Sequence, residues 1–539
     1  MSVDEQGAEK GFDKTGIWVL FATISASSMG FIAQGALNPA LPTIQDGLGA
    51  SGADLLWIVN AYQMMLGALI LVGGSLGDHY GRKRVYQIGI VMFALASLAC
   101  GLAPTTELLI IFRIAQGIGG ALMIPGSLAI ISAYFDDNLR GRAIGTWSSF
   151  TTMTSVLGPT LGGVLADAGL WRVVFFINLP LAALALYALI THVPESKDET
   201  APKQLDYPGA ILVTLGLAGI VYGFTEIGRV GIDTGLSDPA YIGPLLGGFV
   251  AMGLFVWVEA RSDHPLMRLS LFKSRTFSGA NLLTLLLYGA LGGALFFLPL
   301  NLIQIQGYSA TAAGLATLPF SILLVVMSPW AGGLVDRVGP RPPLIIGPIL
   351  VGLAFLGLAI PSMVETDNLL VFFPSSYFVT FFPALLLFGV GMGLVVAPLT
   401  TTVMGSVPQQ NAGTASGINN AVSRASGVLV TAILGGIALV FFTNGLLADV
   451  SDLGLSTASE TALEAEAEDL AAADVPYPVI QQFSLVKVFE VRAAISNTFV
   501  DTFRLMMVIG AVMSFASALM AYLLIEERLK PDDLAPEPT

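Results

Sequence analysis

Charged residues are scarce. Asp, Glu, Lys and Arg make up 12% of the 539 residues, against about 25% in a typical soluble chain. A soluble protein of this length needs a large polar surface, and too few polar residues are present to cover one. That excludes an ordinary cytosolic enzyme, a nucleic-acid binder and a disordered chain. The single cysteine, Cys100, excludes a disulfide framework and a thiolate metal cluster. Three histidines leave little for a metal site. No nucleophile–base cluster, metal-ligand spacing or GxxxxGK[ST] phosphate loop is visible, so neither an enzyme nor a cofactor is expected, and direct ATP drive is disfavoured.

Long apolar runs are abundant. Hydrophobic residues make up 54% of the chain and mean hydropathy is +0.77. Fourteen runs approach the roughly 20 residues a bilayer span requires. Among them are 17–41, 143–166, 312–335, 413–442 and 505–525. The expected class is therefore an all-α integral membrane protein. The first run is too long for a signal-peptide core, and acids are mixed with bases before it. It is read as an uncleaved helix. Lys and Arg concentrate on one side if the N-terminus is cytosolic, and an even number of spans returns the C-terminus there. The divisions are a tail 1–16, six helices in 17–192, a linker 193–208, two extra helices in 209–259, a loop 260–277, six helices in 278–525 and a tail 526–539. Segment 443–499 faces outward. It carries nine acids against Lys487 and Arg492, half of the net charge of −14, and reads as solvated. Its stretch STASETALEAEAEDLAAA has helix-forming composition.

An internal repeat ties the two six-helix groups together. GSLGDHYGRKR (Gly74 to Arg84) follows the second run, and GGLVDRVGPR (Gly332 to Arg341) follows the tenth. Gly74, Asp78 and Gly81 align with Gly332, Asp336 and Gly339, and Lys83 with Arg341; Arg82, Arg84 and Arg337 add further positive charge. Gly81 suits a sharp turn at positive φ. Asp78, a carboxylate at a helix end, suits a latch that forms in one conformer and breaks in another. The plainer reading makes the basic residues topology determinants and Asp78 their solvated partner. Two parallel repeats suggest a transporter with its path between the halves.

At these residues the chain resembles the major facilitator superfamily, whose pattern GxLADRxGRK the first copy follows with Gly77 in place of Ala and His79 in place of Arg. Arg113, Gln116, Gly117, Gly119 and Ala121 follow its RxxQGxGxA pattern. Gly158, Pro159, Gly162 and Gly163 follow GPxxGG, the signature of the fourteen-helix drug:proton antiporter branch. WRVVFFINLP (Trp171 to Pro180) and GTASGINNAVSRASG (Gly413 to Gly427) are similar to further family segments. The resemblance implies two six-helix bundles plus two extra helices, and that the Gly158–Gly163 segment seals an exporter's path. It also implies that Arg113 tunes a carboxylate in proton movement. One departure stands out: Ala33 occupies the place of an Asp that relatives carry in helix 1. Apart from any family, Gly158 and Gly162 form a small face for close helix approach, and Pro159 allows a kink.

Three ionised groups fall inside the runs: Arg113, Glu226 and Arg424. A mid-membrane charge costs about 2.5 kcal/mol or more, so each requires a reason. Arg113 and Glu226 are the proton-coupling candidates; a snorkelling Arg and a water-reaching Glu are the plainer readings. Gln34, Asn38, Gln63, Gln116, Asn281, Asn419, Asn420 and Arg424 are candidates for the substrate path, or for clasps between helices. The expected protein is a monomer in a bacterial cytoplasmic membrane. It exports amphipathic, cationic or neutral drug-like molecules by alternating access, exchanged for protons. The alternatives are an exporter or exchanger of one metabolite (amino acid, sugar or siderophore) without coupling, and a non-transporting sensor or scaffold acting through 443–499.

Overall fold

The computed structural model describes residues 12–197, 206–360, 369–370, 373–408, 411–451 and 453–528. Lipid offers no partner for backbone N–H and C=O groups, so apolar runs close their bonds internally as helices. The long helices are α1 (Lys14–Gly35), α2 (Gly52–Tyr80), α3 (Arg82–Leu102), α4 (Thr106–Tyr134), α5 (Asp137–Asp167), α6 (Asn178–His192), α7 (Tyr207–Val230), α8 (Pro239–Glu259), α9 (Arg275–Leu300), α10 (Leu318–Val338), α11 (Arg341–Ala359), α12 (Phe381–Gly405), α13 (Ala412–Ser451) and α14 (Leu485–Leu524).

Thirteen spans among the described residues are long and apolar enough to cross a membrane, α6 being counted with the Val173–Phe176 turn that leads into it. Helix α5 is the long helix outside that set, because hydroxyl residues interrupt its apolar run. Those hydroxyls are satisfied locally. Thr146 donates to the Arg142 carbonyl, Ser149 to Gly145 and Thr152 to Ser148, so a polar helix here leaves few side-chain groups unpaired. Large apolar side chains such as Ile190, Val250, Val326 and Trp330 lie exposed on the outside of the bundle, as a lipid-facing surface requires.

Several boundaries differ from the expected ones. The run 17–41 breaks after Gly35 and continues as a separate helix, Leu37–Leu48; Pro39 has no N–H to bond the Gly35 carbonyl. The run 312–335 breaks likewise into Ala310–Ala316 and α10, where Pro319 cannot bond Leu315. Helices α13 and α14 project well beyond their apolar runs, to Ser451 and back to Leu485. Segment 443–499 is therefore not a solvated excursion. It holds the helix Thr457–Glu466, and its Leu463, Leu470 and Val479 are buried. Asp449, Glu464, Asp474 and Glu490 face water, Glu466, Glu468 and Asp469 are half-buried, and the apolar residues pack down.

The two six-helix groups repeat one packing scheme. In the first, α1 packs on α5 and α6, and α4 on α2 and α3. In the second, α9 packs on α13 and α14, and α12 on α10 and α11. The groups meet along two seams: α2 against α13, and α5 against Ala310–Ala316. Helix α7 lies against both α2 and α13, and α8 packs on α7. The extra helices thus cover one seam. Residues Leu369–Leu370 pair antiparallel with Phe373–Pro374 in a small outlying hairpin.

Candidate functional site

The repeated loops are the clearest landmark. Gly81 has φ +111° and Gly339 φ +82°, a backbone region that side-chain-bearing residues avoid. A Cβ on Gly81 would meet the Glu195 carboxylate at 2.9 Å, and one on Gly339 would meet the Glu527 carbonyl at 1.9 Å. Each Glu lies just past the last helix of its own half, α6 or α14. Glu195 accepts from the Lys83 and Arg84 amides at 2.9 and 3.1 Å, at the N-terminus of α3 where a carboxylate is favoured. Glu527 accepts from Arg341 at 3.0 Å. Neither Glu stood out in the sequence. Their signal is positional: each comes three residues after its helix ends. Asp78, expected as a latch to another helix, pairs with Arg82 one turn on at 2.8 Å. The Asp336 side chain lies outside the described residues, and Arg337 is exposed. Gly74 lies against Pro125 of α4.

The first half holds a buried polar chain. Arg113 is 1% exposed and does not snorkel. Its Nε donates to the Ile58 carbonyl at 3.0 Å and its Nη1 to Gln116 at 2.6 Å. Its guanidinium lies 4.4 Å from the centre of the Tyr62 ring. Gln116 and Asn178 both donate to Ser97. This links α2, α3, α4 and α6. Among the described residues, no carboxylate partners Arg113.

Between the halves, α13 carries the polar groups. Asn419 donates to Asn281 at 3.2 Å and to Thr284 at 2.7 Å, which clasps α13 to α9. Asn420 bonds its own helix at Ser416 and is exposed. The Arg424 stem packs on Gly67 of α2, and its charge acts on Tyr62. No carboxylate among the described residues pairs with Arg424. Gln63 lies beside Gly427. Gln34 and Asn38 are half-buried on α1 and the helix that follows it. Ala33 is 1% exposed, in an apolar cluster with Met29, Tyr62 and Leu66.

The other seam is built on small residues. Within the first half, a Cβ on Gly158 would stand 3.2 Å from Gly35, and one on Gly162 2.0 Å from the Ala36 carbonyl. Across the seam, a Cβ on Gly163 would stand 2.2 Å from the Ala310 carbonyl, and one on Gly314 would stand 2.5 Å from the Pro159 carbonyl. Contact this close needs glycine on both helices. Asp167, at the end of α5, accepts from the Ala310 and Thr311 amides at 2.8 Å each, capping a helix of the other half. Gln304 donates to Gln45 at 3.0 Å, and Gln45 to the Asp469 carbonyl at 3.3 Å. All these bonds lie at the end opposite the repeated loops. At the loop end no described polar bond joins the halves.

Glu226 is not free to reach water alone. It accepts from Trp57 at 3.1 Å and pairs with Arg229 at 2.8 Å. Arg229 lies 3.9 Å from Glu468 of the acidic segment 443–499. There, burial pushes the Asp469 carboxyl up to about 6, helped by the acids Glu466, Glu468 and Asp54. Burial also raises Glu468, against the pull of Arg229.

Comparison with known proteins adds the following. The family model described as Major Facilitator Superfamily matches residues 23–452. The chain is 35% identical over 426 residues to the "Multidrug resistance protein Stp" of Mycobacterium tuberculosis, covering 79% of this chain and 76% of that one. It is 32% identical to the "Tetracenomycin C resistance and export protein" of Streptomyces glaucescens, over 74% and 71% of the two chains. It is also 32% identical to the "Puromycin resistance protein pur8" of Streptomyces alboniger, over 84% and 87%. Among solved structures, the fold is similar to that of a bacterial homologue of the human lysosomal transporter Spinster. The TM-score is 0.66 and the identity 16%, over 97% of this chain and all of that one.

Proposed function

We propose that this chain, which belongs to the Major Facilitator Superfamily, exports drug-like amphipathic molecules from the cytosol in exchange for protons. It is a multi-pass membrane transporter of small molecules and not an enzyme. Export of drugs is supported by relatives named for resistance to tetracenomycin C and puromycin. The further reading is of a monomer in a bacterial cytoplasmic membrane with fourteen spans, α5 included, and both termini in the cytosol.

The observation that carries the mechanism is the one-sided closure. Every described polar bond between the halves lies at the acidic end. With the described polar bonds between them at one end only, and small residues lining the α2–α13 seam, the halves are free to part at the loop end. Alternating access then requires the bundles 17–192 and 278–525 to tilt, breaking those bonds and closing the loop end. The candidate path runs between α1, α2 and α13, past Gln34, Asn38, Gln63, Asn420 and Arg424. Among the described residues Arg424 has no carboxylate to neutralise it, so the site favours neutral or acidic amphipaths over cations. This narrows the expectation from sequence.

Glu226 is the better coupling candidate. A proton arriving on it removes the charge that holds Arg229, and with it a tie between α2, α7 and the outward segment. A proton drives the cycle only if one conformer binds it better. Efflux from everted vesicles, with and without a pH gradient, tests the coupling; rates indifferent to the gradient remove it. A second reading, uncoupled export of one metabolite, is favoured by Ala33. It predicts that indifferent result together with a single tight polar ligand.

A further inference from the structure

The two extra helices meet at the loop end in an arrangement the transport cycle above does not use. Asp206 caps α7: its Oδ1 accepts from the Gly209 amide at 2.8 Å. Glu259 is the last residue of α8, and its Oε2 accepts from the Met267 amide at 3.0 Å. Each carboxyl group therefore has one oxygen tied to backbone. The other oxygens, Asp206 Oδ2 and Glu259 Oε1, are buried and receive no hydrogen bond. The residues are 8% and 3% exposed. A Cβ placed on Gly209 would stand 2.8 Å from both of these oxygens. Their separation is therefore at most about 5.6 Å, the sum of those two distances. They share one pocket that glycine leaves open.

Two ionised carboxylates withdrawn from water at this distance repel strongly. Among the described residues, no basic group forms an ion pair with Asp206 or Glu259. On the turn after α8, Arg261 lies 4.2 Å from the Trp257 ring centre and Arg268 donates to Asn411. Asp263 and His264 on that turn are exposed, as is Tyr207 on α7. A divalent cation fits poorly, since it wants six or more oxygens and no group of three metal-ligating side chains occurs among the described residues. A single proton on Glu259 Oε1 offers Asp206 Oδ2 the donor both orphan oxygens lack, once the two close to the roughly 2.5–3.0 Å that an O–H···O bond requires.

We propose that Asp206 and Glu259 form a proton-binding dyad that holds one proton at neutral pH and clamps α8 to the start of α7. Glu226 lies twenty residues along α7, roughly 30 Å away at 1.5 Å per residue, so this is a second site. Its proton is lost as the cytosol becomes alkaline. Two like charges then part the helix ends beside the α2–α13 seam that α7 covers.

The sign of the pH effect follows from linkage. The folded protein holds a proton that the unfolded chain, with Glu near 4.3, has released at neutral pH. Stability therefore falls as pH rises toward the point where the dyad deprotonates. The test uses the full chain in lipid nanodiscs. Infrared spectra at neutral pH should show a protonated-carboxyl stretch that disappears in Glu259→Gln, whose amide donates where the O–H did. It should also disappear in Asp206→Asn, which keeps an oxygen to cap α7. The thermal midpoint of wild type should fall between neutral and alkaline pH, and that of Glu259→Gln should stay flat. The proposal is overturned if both variants retain the band, or if wild type and Glu259→Gln show equal pH slopes. It is also overturned if millimolar calcium stabilises wild type and not Glu259→Gln, which would make the pair a metal site.

Discussion

The two ends of the molecule use their charges differently. At the loop end they bond within one half: Asp78 with Arg82, Glu195 with the start of α3, Arg341 with Glu527. At the acidic end, Asp167 and Gln45 bond across the halves. The first kind holds each bundle rigid. The second joins bundles that must part. A rocking transporter needs firm contacts inside its moving bodies and reversible ones between them; here bonds within a half occur at both ends, while the described bonds between halves are confined to the acidic end.

The strongest way to break the contrast is Asp167→Ala. It removes two charge-assisted bonds, each of about 1.5–3 kcal/mol, from a contact between moving parts. Accessibility of a cysteine probe at the acidic end should rise tenfold or more, while thermal stability of each bundle changes little. Gly163→Leu comes next. Its side chain collides with the Ala310 carbonyl, and overpacking costs about 1–3 kcal/mol. Steady-state drug efflux should fall several-fold with normal insertion. Asp469→Asn sharpens the comparison by pH. Because burial raises Asp469 to about 6, above its unfolded value of about 3.9, its proton favours the docked segment. Docking should strengthen as external pH falls through 6 and weaken above it; protease protection of 453–484 should lose this dependence in the variant. Glu527→Gln should do least. That side chain is 83% exposed, so a loss within about 1 kcal/mol is expected, read as a melting shift of a few degrees or less with transport unchanged.

The helices were legible in sequence because lipid enforces long apolar runs, and the repeat was legible because a tight turn selects Gly81 and Gly339. The glycines of α5 also signalled their role, since close approach leaves no choice of residue. What stayed hidden followed from the same logic. Apolar length measures lipid depth, so it could not show α13 and α14 projecting past it. Glu195 and Glu527 belong to no motif and gain meaning only when each chain end folds back on its loop. Asp167 reads as an ordinary helix-end acid until Ala310 of the other half is seen above it. The acidic segment read as solvated because its charges outweigh Leu463, Leu470 and Val479, the residues that dock it.

The most direct measurement is a pair of spin-label distances in lipid nanodiscs. One pair, Gly141→Cys and Gly413→Cys, spans the loop end where both positions face open space. The other, Leu170→Cys and Thr311→Cys, spans the acidic end. On adding a transported drug under a proton gradient, the account predicts that the first distance shortens as the second lengthens. Two distances that stay fixed, or that change in the same direction, would contradict it.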